Sequence, residues 1–347
     1  MFLFNIFKEL RVLYEPKAGN RKQATLWRTA SAVLGAALCS TVFAQPASQN
    51  YPVKPVRLIA PFPAGGSSDL IARILAQRLS EGFSNQVIVE NRPSAGSNLG
   101  TQLASRAAPD GYTLLITSVT AAINVTLFKN AGYDLMKDFA PIAKIAVGPT
   151  ALVVHPSLPV QNVPHFIKLA QSRPGQLNYG SGGVGTPAHI CGEMFRVMAK
   201  VNIAHVPYKG TGQSVTDLMA GQIQFVFASM PVVFPHMKTG RLRTLAVTGA
   251  KRTPLAPHLP TVAESGIAGY AFDSWWGLVT NSNVPQAIIN QLTGDIRRIQ
   301  QLPDVKERFA DLGIDVLIGG PAELASFTRA EIDRFAKIIR DTGIRAE

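Results

Sequence analysis

Residues 60–69 have the sequence Ala60-Pro61-Phe62-Pro63-Ala64-Gly65-Gly66-Ser67-Ser68-Asp69 and separate an apolar run from a helical pattern. The run at 56–59 predicts a β-strand, and the apolar residues that follow recur at helical spacing. Glycines at such a junction allow a tight turn and let a ligand approach the main chain. The start of a helix offers unpaired N–H groups and the positive end of a dipole, which favour an anion. We expect Ser67 or Ser68 to be the N-cap of this helix.

A second stretch of the same kind is Asn178-Tyr179-Gly180-Ser181-Gly182-Gly183-Val184-Gly185-Thr186, which also follows a predicted strand and precedes a predicted helix. A single loop of this type is often only a turn that caps a helix, since such turns are common in α/β folds. Two of them in one chain favour an anion-binding site. A side chain at Gly65 or Gly185 is then expected to obstruct the ligand.

Strands and helices alternate along the chain from Tyr51 onwards, which predicts an α/β fold with a parallel, doubly wound sheet. Ligands of such sheets bind at the carboxyl ends of the strands. The buried strand at 113–117 would deliver Ser118 and Thr120 to that edge. The pattern is interrupted near Thr150 and resumes near Asp273. We therefore predict two lobes, one of residues 51–148 with 274–347 and the other of residues 149–273.

The N-terminal 44 residues have the features of a secretory signal. Arg21, Lys22 and Arg28 precede an uncharged stretch at 29–43, and Ala44 is a small residue at the expected cleavage position. The apolar core is too short for a comfortable membrane span. We expect the mature protein to begin at Gln45 and to be exported to the periplasm.

The composition argues against several classes of protein. Removal of residues 1–44 takes away six basic and two acidic residues, which lowers the formal net charge from +12 to +8. The remaining basic residues are dispersed along the chain, so nucleic-acid binding is not expected. Only Cys191 remains, which excludes an internal disulfide and predicts a small buried side chain. The histidines and acidic residues do not have metal-ligand spacing, so we expect no metal and no cofactor.

Catalytic motifs are weak in this sequence. Residues 180–185 fit G-x-G-x-x-G, but the match falls late in the chain and the strand that follows has no acidic residue at its end. No P-loop lysine and no convincing nucleophile elbow occur. A secreted α/β chain with two anion-type loops and no catalytic set is typical of a periplasmic solute-binding protein, and we do not expect an enzyme.

Several stretches resemble the substrate receptors of the tripartite tricarboxylate transporters, also known as the Bug or TctC family. They extend over the whole predicted mature chain and are specific in combination. They are 51–52, 59–69, 89–93 with 95–96, 109–115, 179–186 with His189, 205–210, 245–248 and 275–278.

The resemblance implies a two-lobed periplasmic-binding-protein fold of type II, the Venus flytrap, with a doubly wound sheet in each lobe. Such a fold closes on a small organic carboxylate. A dicarboxylate or an aromatic acid is the implied ligand, and main-chain amides of one loop in each lobe are its implied donors. Implied partners are membrane transporter subunits, and the receptor is expected to be a monomer. Two alternatives stay open: the same fold could serve a signalling sensor, or the chain could be a secreted α/β enzyme acting on a carboxylate. The implied ligand-binding residues are Phe62, Ala64, Gly65, Gly66, Ser118, Ser181, Gly182, Gly185, Thr186, Lys209 and Asp273.

Some of these positions have a second interpretation. Lys209 could pair with a carboxylate or be a solvated loop lysine. Asp273 could bind an ammonium group, but we favour a hydrogen-bonding role at the hinge. Asp69 is expected to orient its loop through backbone N–H groups without contacting the ligand. Many relatives have an acidic residue where this chain has Ala228, so a polar group is expected to be missing near the cleft.

Overall fold

The structure is a computed structural model that describes residues 51–345. The predicted signal at 1–44 and the predicted mature start at Gln45 lie outside the described residues. In the described part, none of the helices is long and apolar enough to cross a membrane.

Ten strands and ten helices follow one another between these limits, which confirms the predicted α/β class. The strands are β1 (Val56–Ala60), β2 (Val87–Asn91), β3 (Thr113–Ser118), β4 (Phe139–Val154), β5 (Asn178–Ser181), β6 (Ala204–Pro207), β7 (Phe225–Ser229), β8 (Arg243–Val247), β9 (Asp273–Asn281) and β10 (Asp315–Val316). The helices are α1 (Ser67–Gly82), α2 (Asn98–Ser105), α3 (Val119–Leu127), α4 (Val163–Ser172), α5 (Pro187–Met198), α6 (Thr211–Met219), α7 (Met230–Lys238), α8 (Gln286–Gln301), α9 (Pro303–Asp311) and α10 (Pro321–Thr342).

The strands form a mixed sheet with the hydrogen-bonded order β2-β1-β3-β9-β4-β7-β5-β6, and β8 and β10 pair with β4. Strand β1 is parallel to both β2 and β3, and β5 is parallel to both β6 and β7. Strand β9 runs antiparallel to β3 and β4. A helix follows each of the strands β1, β3, β5, β6 and β7. The carboxyl ends of these strands therefore lead into helix starts.

Strand β4 connects the two groups of parallel strands. Its first part pairs with β9, in the register Phe139↔Asn281 to Pro149↔Asp273. Its last five residues pair with β7, from Thr150↔Ser229 to Val154↔Phe225. A single 16-residue strand therefore passes through the boundary that the sequence predicted near Thr150. The two predicted lobes, 51–148 with 274–347 and 149–273, stay a prediction.

The core lies on both faces of the sheet because successive strand residues point to opposite sides. In β1, Leu58 belongs to one apolar cluster and Ile59 to the other. Helix α1 packs on the first cluster through its buried face, which includes Ile71, Leu75 and Leu79. Burial of each such side chain contributes about 1.5–3 kcal/mol. Cys191 is fully buried in the second cluster, as the sequence predicted.

The start of α1 differs from the prediction. Its N-cap is Gly66, and Ser67 and Ser68 already belong to the helix. The Ser67 hydroxyl hydrogen bonds with the Ser229 hydroxyl at 2.6 Å instead of capping its own helix. Neither serine is the N-cap because the helix begins earlier than predicted, and Asp69 in its first turn accepts the N–H of Gly65 in the preceding loop.

Candidate ligand-binding site

A cavity of about 410 Å³ lies at the carboxyl ends of the strands. Its wall comes from the loops and helix starts that follow β1, β3, β5, β6 and β7, together with Ser274 and Trp276 of β9. The volume is in the range of small-molecule sites. This is the strand edge at which the α/β pattern predicts a ligand.

Five helices begin at this cavity: α1, α3, α5, α6 and α7. Their N-cap residues, which all line the cavity, are Gly66, Ser118, Thr186, Gly210 and Ser229. None of these five residues caps its own helix through a side-chain hydrogen bond. The first turn of each helix therefore keeps unpaired N–H groups and the positive end of its dipole beside the cavity.

The side chains around the cavity are uncharged. Among the residues that the structure describes, no Asp, Glu, Lys, Arg or His lines it. Hydroxyl groups such as those of Ser118 and Thr120 alternate there with apolar groups such as those of Phe62 and Trp276. The positive potential of the site therefore comes from helix ends. A ligand ammonium group would find no carboxylate on this wall, so the arrangement favours an anion over an amino acid.

Asp69 holds the loop before α1 in place. Its carboxylate accepts the Gly65 N–H at 2.9 Å, the Arg73 Nε–H at 3.0 Å and the Asn91 side-chain amide at 3.0 Å. Asn91 also donates to the Phe62 carbonyl at 3.0 Å. Asp69 does not line the cavity. The expected orienting role of Asp69 is confirmed by its hydrogen bond with the Gly65 N–H.

The charge state of Asp69 follows from these contacts. Burial by itself would raise the pKa of the carboxyl group, and the side chain is only 2% exposed. The hydrogen bonds from Arg73, Gly65 and Asn91 favour the charged form and outweigh burial, so the pKa lies below its ordinary value. Asp69 is thus an anion at neutral pH that is already paired and points away from the cavity.

The second glycine-rich loop is held by its own hydrogen bonds. The Ser181 hydroxyl accepts the Gly183 N–H at 3.0 Å and hydrogen bonds with His205 Nε2 at 2.6 Å. The Thr186 hydroxyl donates to the Gly183 carbonyl at 2.6 Å. These bonds use the Gly183 amide within the loop. Thr186, at the end of the loop, is the part that lines the cavity.

His189 holds the same loop in place through a hydrogen bond. Its Nδ1 accepts the Gly185 N–H at 3.3 Å, which requires that nitrogen to be unprotonated. The imidazole is buried, and its centroid lies 4.5 Å from that of His205. Burial and the neighbouring His205 lower the pKa of His189 to about 4. His189 is therefore neutral at pH 7 and serves as a hydrogen-bond acceptor.

This arrangement predicts a pH dependence of stability. The folded pKa of His189 is about 4 and the unfolded value is 6.5, so the unfolded chain binds more protons between these values. The free energy of unfolding is therefore expected to fall by up to about 3 kcal/mol as the pH is lowered from 6.5 to 4. His189→Gln should lack this contribution. Chemical denaturation of both proteins across that range measures the difference, and parallel pH profiles would contradict the assignment.

The structure brings six of the eleven predicted site residues together on the cavity wall. They are Phe62, Ala64, Gly65, Gly66, Ser118 and Thr186. The remaining five, Ser181, Gly182, Gly185, Lys209 and Asp273, do not line it. A role of any of the eleven in ligand binding stays a prediction.

The five residues outside the wall have identifiable surroundings. Ser181 is buried in the hydrogen bonds just described, and Gly182 packs against Thr211. Lys209 is an exposed loop residue. Asp273 lies opposite Pro149 where β9 pairs with β4.

Gly185 faces helix α3 rather than the cavity. A Cβ atom at this position would lie 2.6 Å from Asn124 Oδ1 and 3.1 Å from Leu127 Cδ2. A side chain at Gly185 would therefore collide with α3. A substitution at Gly185 would disturb this packing, so it would not test whether a side chain there obstructs the ligand. Gly65 has open space around its Cβ position, but its φ of +76° would strain any other residue.

Sequence analysis missed part of the wall. The start of α6 contributes Thr211, Gly212 and Gln213, and β9 contributes Trp276. The Pro-Tyr-Lys-Gly-Thr-Gly sequence at 207–212 is a third junction of strand, glycine and helix, and its glycines were the available signal. Ala228 is fully buried and does not line the cavity, whereas its neighbours Phe227 and Ser229 do.

Metal chemistry finds no support in this region. Within residues 51–345, no group of three or more His, Cys, Asp or Glu side chains is placed to hold a metal ion. The site is therefore described by hydroxyl groups, main-chain amides and apolar surfaces.

The sequence profile described as "Tripartite tricarboxylate transporter family receptor" matches residues 71–344. The chain belongs to this family. Protein BugT of Bordetella pertussis is 33% identical over 317 residues, which is 90% of this chain and 97% of BugT. The predicted resemblance to the Bug and TctC receptors is thereby confirmed.

Solved structures of similar proteins confirm the predicted periplasmic-binding-protein fold. The structure of R. palustris Rpa4515 with adipate has a TM-score of 0.83 and 33% identity, and it covers 85% of this chain and 99% of that one. The periplasmic binding protein BugD has a TM-score of 0.82 and 29% identity, with coverages of 86% and 100%. MatC from Rhodopseudomonas palustris with bound malate has a TM-score of 0.79 and 28% identity, with coverages of 83% and 100%.

Proposed function

We propose that this receptor captures a small organic carboxylate in the periplasm and delivers it to a transporter of the tripartite tricarboxylate type. A dicarboxylate or an aromatic acid is the proposed ligand. The observation that carries this proposal is the meeting of five helix N-termini around a cavity that no charged side chain of residues 51–345 lines. Such a site offers hydrogen-bond donors and a positive potential to a carboxylate, and neither feature would select a cation.

Two relatives support the choice of ligand class, since the structures of Rpa4515 and MatC contain adipate and malate. Both ligands carry two carboxylates. In this chain, α1, α3 and α6 bring helix starts from different parts of the strand order to one cavity. Separate helix ends would allow two carboxylates of one ligand to be bound at the same time.

The remaining parts of the proposal concern the setting of the site. The signal at 1–44 would direct export, and the protein would act as a monomer that binds without catalysis. The lobes would be residues 51–148 with 274–347 and residues 149–273, closing on the ligand by a hinge. The family name supports a membrane transporter as the partner.

A thermal-shift screen of the protein from Gln45 onwards tests the function. Monocarboxylates, dicarboxylates including adipate and malate, aromatic acids and amino acids are compared at equal concentration. At a concentration one hundred times Kd, a ligand stabilises the folded state by about 2.7 kcal/mol, which is a readily measured shift in Tm. Stabilisation by carboxylates and not by amino acids is the expected result. Stabilisation only by amino acids or by cations would contradict the proposal.

Replacement of Lys209 by alanine is expected to change Kd less than about threefold at 0.15 M salt, because an exposed charge outside the cavity wall is screened there. Calorimetric titration with the best carboxylate of the screen measures the effect. Lys168→Ala, at an exposed position on α4, is the matched control for the loss of one positive charge. Loss of binding in Lys209→Ala alone would move the recognition of the anion to the lysine side chain.

A further inference from the structure

The loop after β1 touches the loop after β6 at Pro63 and Gly210. A Cβ atom at Gly210 would lie 2.8 Å from Pro63 Cγ, which is closer than real Cβ contacts, and 3.2 Å from Pro63 Cδ, which is tight. Both residues line the cavity. The proline ring therefore rests directly on the main chain of Gly210, with no room for a side chain between them.

These two loops come from opposite parts of the sheet. Strand β6 is at one end of the strand order, and β1 is next to the other end. Contact between the loops that follow them means that the two ends of the order approach each other around the cavity. Pro63 belongs to the first predicted lobe and Gly210 to the second, so the contact lies between the two sides that enclose a ligand.

The backbone of Gly210 does not itself require glycine. Its φ is −177° and its ψ is 152°, an extended conformation that any residue adopts. Gly65 and Gly185 differ in this respect, since their φ values of +76° and +79° favour glycine. The absence of a side chain at residue 210 is required by the approach of Pro63 alone.

Both loops are fixed by their own hydrogen bonds. On one side the Gly66 N–H donates to the Pro63 carbonyl at 3.2 Å. On the other side the Tyr208 N–H donates to the Ser181 carbonyl at 3.0 Å, and the Gln213 N–H donates to the Gly210 carbonyl at 3.2 Å. A local shift of either loop would break these bonds, so an overlap at the contact is relieved most easily by moving the two sides apart.

We propose that Pro63 and Gly210 form the contact that limits closure of the cavity, and that glycine at residue 210 allows the two sides to close fully around the ligand. This inference rests on the proposed function, because it presupposes a receptor that closes on its ligand. Pro63 and Gly210 are then positioning residues, which determine how far the helix ends of the two sides approach one anion.

Gly210→Ala tests the contact because alanine suits the backbone in the open form and collides with Pro63 only in the closed form. The expected result is a decrease of about tenfold in the ratio of closed to open molecules. Gly294→Ala on α8, outside the cavity wall, is the matched control, since its Cβ would have no atom within 4 Å, and it should leave the ratio unchanged. Pro63→Ala removes Cγ and Cδ and leaves Cβ at 3.6 Å, so it should restore closure when combined with Gly210→Ala.

The populations can be measured by electron paramagnetic resonance between spin labels on Gln86→Cys and Gln171→Cys, which are exposed positions in the two predicted lobes. Cys191 is buried, so the labels attach to the introduced cysteines. The four proteins are compared without ligand and with saturating adipate. Their melting temperatures without ligand confirm that each variant is folded.

Three results would overturn the inference. They are equal distance distributions for wild type and Gly210→Ala in both conditions, a shift that Pro63→Ala does not reverse, and a wild type with no closed population in either condition. Failure of the proposed function has a different signature. In that case no carboxylate stabilises the protein in the thermal-shift screen, whereas the ligand-free distance distributions still report whether residue 210 limits closure.

Discussion

Replacement of Gly212 by glutamate is expected to weaken carboxylate binding by at least about a hundredfold. Gly212 is the second residue of α6 and lines the cavity, and no atom lies within 4 Å of its Cβ position. A glutamate there would bring a negative charge into a cavity that no charged side chain of the described residues lines. Two like charges about 4 Å apart repel by about 4 kcal/mol at the effective dielectric constant of a protein surface. Calorimetric titration with the best carboxylate of the screen measures the loss.

Loss of binding through unfolding is improbable for this variant, because an acidic residue in the first turn of a helix is stabilising by about 0.3–1 kcal/mol. The melting temperature without ligand should therefore stay level or rise. Gly212→Gln is the matched control, since it adds the same volume without the charge. Equal losses for both variants would indicate obstruction by volume alone. Unchanged binding in both would place the ligand outside this cavity.

Replacement of Asp69 by alanine is expected to lower the free energy of unfolding by about 2–4 kcal/mol. The buried carboxylate accepts hydrogen bonds from Gly65, Arg73 and Asn91, and all three donors would lose this acceptor. The Phe62–Gly66 segment would also lose its anchor, so carboxylate binding should weaken by about tenfold. Chemical denaturation and calorimetric titration measure the two effects.

Arg73→Ala separates the ion pair from the anchoring of the loop. Arg73 is about half exposed, with 54% of its side chain accessible, and its removal leaves the bonds of Asp69 to Gly65 and Asn91 intact. A loss below about 1 kcal/mol in the free energy of unfolding is expected.

The pKa of Asp69 is lowered in the folded state. Its contribution to stability is therefore present above the unfolded pKa of 3.8 and is lost as the pH falls through the folded pKa. A difference between wild type and Asp69→Ala that does not shrink in acid would contradict this account.

Local sequence patterns predicted most of the parallel part of the fold. The strands predicted at 56–59 and 113–117 agree with β1 and β3 to within one residue, and the helix predicted after Thr186 begins at Pro187. These segments combine a clear apolar period with a turn or proline at one end. The role of Asp69 was also predictable, because an acidic side chain three residues after an N-cap commonly accepts loop N–H groups.

Other elements had no such signal. The first part of β4 contains Pro141, Gly148 and Pro149, residues that usually interrupt strands, and its pairing with β9 compensates for them. Helix α7 contains Pro231 and Pro235, so its sequence does not resemble a helix. Helix α3 follows β3 without an intervening loop and has no polar face, because seven of its residues are buried. Tertiary packing, and not the local sequence, therefore determines the structure of these three elements.

The two predicted glycine-rich loops differ in how much of each lines the cavity. The segment at 62–66 lies on the cavity wall, but the glycines at 182–185 are turned into the protein and only Thr186 reaches the wall. The start of α6 lines the same cavity. The sequence shows which loops contain glycine. The direction in which each loop faces depends on how the strands at the two ends of the sheet approach each other in the folded chain.

Most mutations leave a main-chain hydrogen-bond donor in place. Every substitution except proline keeps the backbone N–H, so the five helix ends persist while the side chains around them change. Substitutions of the side chains around the pocket can therefore alter its shape while the helix ends keep their positive potential. Selectivity would then depend on a few side chains such as Phe62, Thr216 and Trp276, whereas the proposed binding of a carboxylate would be a property of the fold.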